Sequence, residues 1–396
     1  MTIQPLGKNI QNTFSPPVME ARRWLEKAVF PADRPLLNLS QAAPVDPPPL
    51  SLREAMAGHV FEDDSHLYGP VLGLPALRAE IAAQWSDIYG GDIHAEDVAI
   101  TSGCNQAFCA AISAVASAGD AVILPTPWYF NHKMWLDMAG IEARLLPCGD
   151  GMVPDPAAAE ALLDDKVKAI ILVTPNNPTG AEYPDGVLHG FARLARKHKL
   201  ALIIDETYRD FHSMDGPPHT LFSDPDWRNE IIHLYSFSKV YHLTGHRVGA
   251  MVTSPERLAQ AEKFLDSVAI CPNPLGQKAA LFGLHNLTKF VSDERLEILR
   301  RKEIVEDGFK ALPGWKLLQS GAYFAFVEHP FDLPSDIVAQ RLVAEQSLLI
   351  LPGTMFGPTK ANGGDGSAEK QLRIAFANAD SDGLATLFAR LRAFTP

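Results

Sequence analysis

The chain has 396 residues, 46% of them hydrophobic, and a formal net charge of −12. That is enough apolar material for a large core and suggests two domains, or one large domain with an appendage. The acidity, without any basic block to track phosphates, argues against a nucleic-acid partner.

Four dispersed cysteines (Cys104, Cys109, Cys148 and Cys271) lack CxxC spacing, which argues against a disulfide framework or zinc site and points to a reducing cytoplasm. The opening MTIQPLGKNIQNTF lacks the apolar segment of a secretion signal. No run of 18 or more apolar residues predicts a membrane span.

In chain order, residues 18–29 predict a short amphipathic helix. A proline-rich connector follows at 43–50 and is expected to pass between two structural units. From about residue 51 helix and strand patterns alternate. Short apolar runs predict strands at 98–101, 121–125, 143–146, 169–174, 201–205 and 231–236, with helices over 105–117 and 187–198 among them. Such alternation predicts an α/β fold with a mostly parallel sheet covered on both faces. After about residue 285 the pattern changes. A charged helix at 288–312 precedes strands at 315–319 and 322–327, a helix at 335–346, strands at 348–351 and 371–375, and a last helix. This predicts a smaller α+β domain. The expected division is a large domain over 46–287 and a small one from 1–45 and 288–396. The glycine-rich tract 361–370 is expected to form a mobile loop.

Ligands of open α/β sheets bind beyond the carboxyl ends of the strands, so each strand's exit is informative. The run 231–236 ends in Ser236, Phe237, Ser238 and Lys239, with Arg247 eight residues on. A lysine shielded at a strand end has its charge disfavoured and its amine freed as a nucleophile. Two hydroxyls and a guanidinium beside it suit a phosphate. Together they suit an aldehyde that also carries a phosphate, pyridoxal 5'-phosphate. The strand ending at 174 exits into PNNPTG, and the one ending at Asp205 into Glu206, Thr207 and Tyr208. Alone, the first is a plausible turn and Asp205 a plausible helix cap; their joint order is less readily accidental. Arg247 precedes its apolar run instead of following it, so an antiparallel strand is required to carry it to the same end of the sheet. The exit Thr101, Ser102, Gly103, Cys104, Asn105 leads straight into a helix, a natural phosphate cradle. At the exit after Pro125, Trp128 or Tyr129 could stack on a ring or simply pack.

This order of motifs resembles the class I/II aminotransferases of PLP fold type I, the aspartate aminotransferase superfamily. The matching stretches are YGPVLGLPALR at 68–78, TSGCNQA at 101–107, PTPWY at 125–129, PNNPTG at 175–180, DETY at 205–208, SFSKVYHLTGHRVG at 236–249, LPGTMFG at 351–357 and RIAFAN at 373–378. The resemblance implies a seven-stranded sheet with one antiparallel strand, pyridoxal phosphate as cofactor, and amino acids and 2-oxo acids as substrates of a ping-pong reaction.

It also implies roles. Lys239 matches the Schiff-base lysine that moves the Cα proton, and Asp205 the carboxylate that keeps the ring nitrogen protonated. Asn177 and Tyr208 match the donors to the ring oxygen, and Tyr129 the stacking aromatic. Ser236, Ser238, Arg247 and the turn Gly103–Cys104–Asn105 match the phosphate site. Arg373 matches the arginine for the substrate carboxylate, with Asn177, Ala42 and Trp128 also near the substrate. Tyr68 matches a tyrosine that reaches the neighbouring subunit's phosphate, which implies a homodimer with shared sites.

Ala42 stands where a glycine is usual, His246 where a tryptophan is common, and Asn105 where aspartate-specific members carry a lysine. His132 and Trp128 could line the pocket or only pack. The expected substrate is therefore a neutral or aromatic amino acid. The same residues would also serve a C–S or β-lyase. A cofactor-binding regulatory module is disfavoured by the acidic chain and by an N-terminal segment too short for a DNA-binding domain.

Overall fold

The computed structural model describes residues 6–26 and 28–396. Residues 1–5, within the segment searched for a secretion signal, and Lys27, within the expected first helix, lie outside them. The strands in chain order are β1 (Leu37–Asn38), β2 (Val98–Thr101), β3 (Ala121–Thr126), β4 (Glu142–Pro147), β5 (Val167–Val173), β6 (Ala201–Asp205) and β7 (Ile231–Ser236). They continue with β8 (Gly249–Val252), β9 (Lys316–Gly321), β10 (Phe324–Glu328), β11 (Leu348–Leu349), β12 (Leu351–Pro352) and β13 (Gln371–Ile374).

A seven-stranded sheet runs in the order β2-β8-β7-β6-β5-β3-β4. Only β8 is antiparallel, to both β2 and β7; the other pairings are parallel. Gly249, at the start of β8, faces both Thr101 and Ser236 at the ends of its neighbours. The strand reversal required by Arg247 is therefore present.

Side chains alternate along the strands, as a sheet buried on both faces demands. Ile100, Ile123, Ile170, Leu202, Ile204 and Val252 enter one apolar core. Ala99, Val122, Ile171, Ile203, Leu234 and Met251 enter the core on the other face. A third core gathers Leu39, Ile298, Val305, Phe309, Phe324, Leu372 and Leu387 around the antiparallel sheet β12-β13-β10-β9. The long helix Thr288–Lys310 spans two of these cores: Phe290 and Val291 pack on the first and its later turns on the third.

Two expectations are refined. The helix expected at 18–29 runs Pro17–Leu25, because tandem prolines suit a helix start and lack the N–H needed further in. The strand expected at 348–351 is two. β11 pairs in parallel with β1, and β12 joins β13. The glycine-rich tract ends in a 3-10 turn, Ser367–Glu369, whose Ala368 carbonyl accepts from Ser335 Oγ at 2.9 Å. Among the described residues no helix is long and apolar enough to cross a membrane.

Candidate active site

A cavity of about 420 Å³ lies beyond the carboxyl ends of β5, β6 and β7. Its lining includes Ala42, Cys104, Asn105, Tyr129, Asn177, Asp205, Tyr208, Ser236, Ser238, Lys239, Arg247 and Arg373. Segments far apart in the chain meet here: Ser40 and Arg373, 333 positions apart, are hydrogen-bonded at its wall.

Lys239 sits in a one-turn helix, Phe237–Val240, capped by Ser236, whose hydroxyl accepts from Ser238 N–H at 3.3 Å. The cap ends β7 sharply and turns the lysine back over the sheet. Its Nζ donates to the Ala42 carbonyl at 2.6 Å. Burial first, then the positive charges of Arg247 and Arg373, lower its pKa to about 8; each disfavours a further cation in the site.

Asp205 ends β6 on the same face as Ile203. It accepts from Thr207 N–H at 3.0 Å, and His132 Nε2 stands 3.2 Å from its other oxygen. Burial opposes its charge, but His132 and the Thr207 donors outweigh burial and hold the carboxyl below its ordinary range. The next residue, Glu206, turns to the opposite face, where His233 and His219 meet its carboxylate at 2.9 and 3.3 Å. Strand alternation thus separates two adjacent carboxylates, one to the cavity and one to the core.

At one end of the cavity, Arg247 Nη1 donates to Ser238 Oγ at 3.3 Å and to the Thr244 carbonyl at 3.0 Å. Gly103 (φ +84°) caps the helix Cys104–Val115, and a Cβ there would overlap the Arg247 guanidinium. The left-handed backbone suits glycine and leaves the guanidinium close against the turn, so helix N–H groups, guanidinium and hydroxyls converge on a cradle for an anion.

At the other end, the Arg373 guanidinium is buried against Phe324 and Phe356, at 5.1 and 4.8 Å from their ring centres. Nη1 donates to Asn177 Oδ1 at 2.9 Å and Nη2 to the Ser40 carbonyl. Its Nε is buried with no acceptor among the described residues. Burial lowers its pKa to about 10, which still leaves it charged at neutral pH.

Some expected residues fall outside the cavity. Trp128 is not part of the lining: its ring is buried and its indole N–H donates to the Met355 carbonyl at 3.3 Å. The structure does not bring Trp128 to this cavity, whereas Tyr129, the expected stacking aromatic, is in its lining. The chain turns into the helix Phe130–Ala139 at this point, and that turn aims the later aromatic inward. Tyr68 is 80% exposed, away from this chain's own cavity. His132 sits behind Asp205 instead of lining this cavity, and His246 is also outside it.

Other lining residues were not legible as site residues: Pro16, Pro17, Val18, Gln41, Ala43, Asn131, Val173, Thr207 and Thr244. Thr207 had a signal, two residues beyond a strand-end carboxylate. The N-terminal segment had none, because only folding brings it here.

The chain matches the family model described as aminotransferase class I and II over residues 34–391. It is 28% identical to the aspartate/prephenate aminotransferase of Thermus thermophilus, covering 81% of this chain and 84% of that protein. It is 26% identical to an aromatic aminotransferase of Arabidopsis thaliana, covering 98% and 95%. The fold superimposes on the solved aspartate aminotransferase of Thermus thermophilus with maleate at a TM-score of 0.88, with 24% identity and coverage of 98% and 99%.

Proposed function

The chain belongs to the class I and II aminotransferases, and we propose that it takes the amino group of a neutral or aromatic L-amino acid and passes it to a 2-oxo acid by a ping-pong mechanism in this cavity. It is a pyridoxal 5'-phosphate-dependent transaminase. The donor set fits that cofactor. The glycine cradle with Arg247, Ser236 and Ser238 suits a phosphate, and the shielded Asp205 carboxylate suits a protonated ring nitrogen. When bound, the cofactor supplies an aldehyde and an electron-withdrawing ring.

The observation that carries the reading is the pairing in one cavity of an amine depressed to about 8 with a buried guanidinium whose Nε has no partner among the described residues. A guanidinium so placed suits the substrate's α-carboxylate, which would supply the missing acceptor. In the proposed assignment Lys239 would take the substrate's Cα proton and later return it, and the Asp205 charge would favour a protonated ring nitrogen. Arg373 donates to Asn177 Oδ1, which leaves the Asn177 NH2 to donate toward the ring oxygen together with Tyr208. Tyr129, in the cavity lining, would stack on the ring.

The preference for a neutral or aromatic side chain is supported by charge. Among the described residues lining the cavity, the Lys and Arg side chains are Lys239, Arg247 and Arg373, and each already has a partner group in this assignment. Position 105, where a further cation would help a distal carboxylate, is Asn105. A homodimer is proposed as well, with Tyr68 reaching a neighbouring site. Phe61, Leu67 and Tyr68 are 88%, 66% and 80% exposed close together in the chain, apolar surface that an assembly would cover. A cytoplasmic setting is proposed from the four free cysteines.

The test is a donor screen. The holoenzyme is mixed with single amino acids, and conversion of the cofactor to its aminated form is followed by absorbance. Neutral or aromatic donors are expected to convert it fastest. A dominant preference for aspartate would overturn that specificity and direct attention to Arg22, which donates to Gln41 at the cavity wall at 3.0 Å.

A further inference from the structure

A second cavity of about 280 Å³ adjoins the first. The two share Pro16, Asn105 and Asn131. The second cavity lies between two helices that both start at strand exits, Cys104–Val115 and Phe130–Ala139. One helix contributes Asn105, Phe108 and Cys109, and the other Asn131, Met134, Trp135 and Met138. These are helical stripes at three- and four-residue spacing, facing one another. In each stripe the asparagine belongs to both cavities and the apolar residues to the second alone.

We propose that this side cavity receives the aromatic side chain of the amino-acid substrate, with Phe108, Cys109, Met134, Trp135 and Met138 setting specificity. The proposal rests on the aminotransferase assignment above. An amino acid anchored by its amine near Lys239 and its carboxylate at Arg373 has one substituent left to place. Only the wall at Pro16, Asn105 and Asn131 stands between the first cavity and the second, so the second is the adjoining space for that substituent. A cavity of roughly 150 Å³ already accommodates a benzene ring, so size permits a ring here. Thioethers and aromatic faces favour an aromatic occupant over a purely aliphatic one. Two polar atoms of residues lining this cavity, His132 Nδ1 and Trp135 Nε1, are buried without a hydrogen-bond partner among the described residues. They could meet a polar substituent on such a ring.

The test compares phenylalanine and alanine as donors to the holoenzyme and to the cavity-filling variants Cys109→Phe and Met138→Trp. The ratio of kcat/KM for phenylalanine to that for alanine is expected to fall by about tenfold or more in each filled variant. An unchanged ratio in folded variants overturns the proposal. Inhibition supplies a second readout. Hydrocinnamate, which has the ring and carboxylate but no amine, is expected to compete with alanine, and to do so about tenfold more weakly in each filled variant, whereas inhibition by succinate stays the same. Equal inhibition by hydrocinnamate in the filled and unaltered enzymes also overturns it. If no amino acid converts the cofactor at all, the aminotransferase assignment fails, an outcome distinct from active filled variants that keep the phenylalanine preference.

Discussion

Lys239 shows how far environment alters one side chain. Loss of hydration and two neighbouring guanidiniums bring its pKa from 10.5 to about 8, which raises the free amine present at neutral pH by roughly two orders of magnitude. The sign is testable. Cofactor capture by the apoenzyme requires the unprotonated amine, so its rate should climb as pH rises through about 8 and level off above it. A midpoint near the ordinary 10.5 would contradict the burial account. Replacing Lys239 by Ala removes both the attachment point and the proton carrier, and single-turnover conversion should fall by roughly 10⁴-fold or more. Arg373→Lys keeps a positive charge but loses the planar fork and the contact with Asn177. The KM for the donor should rise by roughly tenfold to a hundredfold, in line with the worth of charged hydrogen bonds. An unchanged KM would place the carboxylate elsewhere.

Among the elements, the turn at 175–180 does the most to join the two ends of the site. Asn176 braces it from inside, accepting from Thr179 N–H at 3.1 Å and Thr179 Oγ1 at 2.9 Å. Asn177 is thereby left facing Arg373. Gly180 has φ +79°, and a Cβ on it would overlap the backbone of Gly321 at the end of β9. A side chain at Gly180 would therefore push the large sheet's exit loop away from the small sheet that carries Arg373. Gly180→Ala is expected to lower unfolding free energy by about 2 kcal/mol or more and to weaken donor binding along with it. Denaturant titration and KM together check this; loss of stability with an unaltered KM would separate the turn from the site. The same level explains the corrected aromatic. Trp128 and Tyr129 are neighbours with similar chemistry, and the turn into the helix Phe130–Ala139 decides which one enters the cavity.

For the whole molecule, the prediction concerns assembly. If Tyr68 completes a neighbouring chain's phosphate site, sedimentation should show a dimer, and Tyr68→Phe should weaken cofactor affinity by about tenfold or more. Mixing Tyr68→Phe with Lys239→Ala chains should then restore some sites of native affinity, because a hybrid pair contains one site with both residues intact. Failure of the mixture to recover would argue against sharing. Much of the site on the large sheet was legible before the fold was known. Asp205, Lys239, Asn177 and the Gly103 turn each stand at the end of an apolar run, and a parallel sheet gathers such ends on one side. Even the reversal of β8 followed from where Arg247 precedes its run. What could not be read was the wall formed by Pro16–Val18, Gln41 and Ala43, the side cavity between two helices, and the exclusion of Trp128. The sequence by itself determined the chemistry, because strand periodicity and strand-end residues are local properties. Only the tertiary structure decided the shape into which a substrate must fit, because that depends on contacts between segments hundreds of residues apart, such as Ser40 with Arg373, which no local pattern encodes.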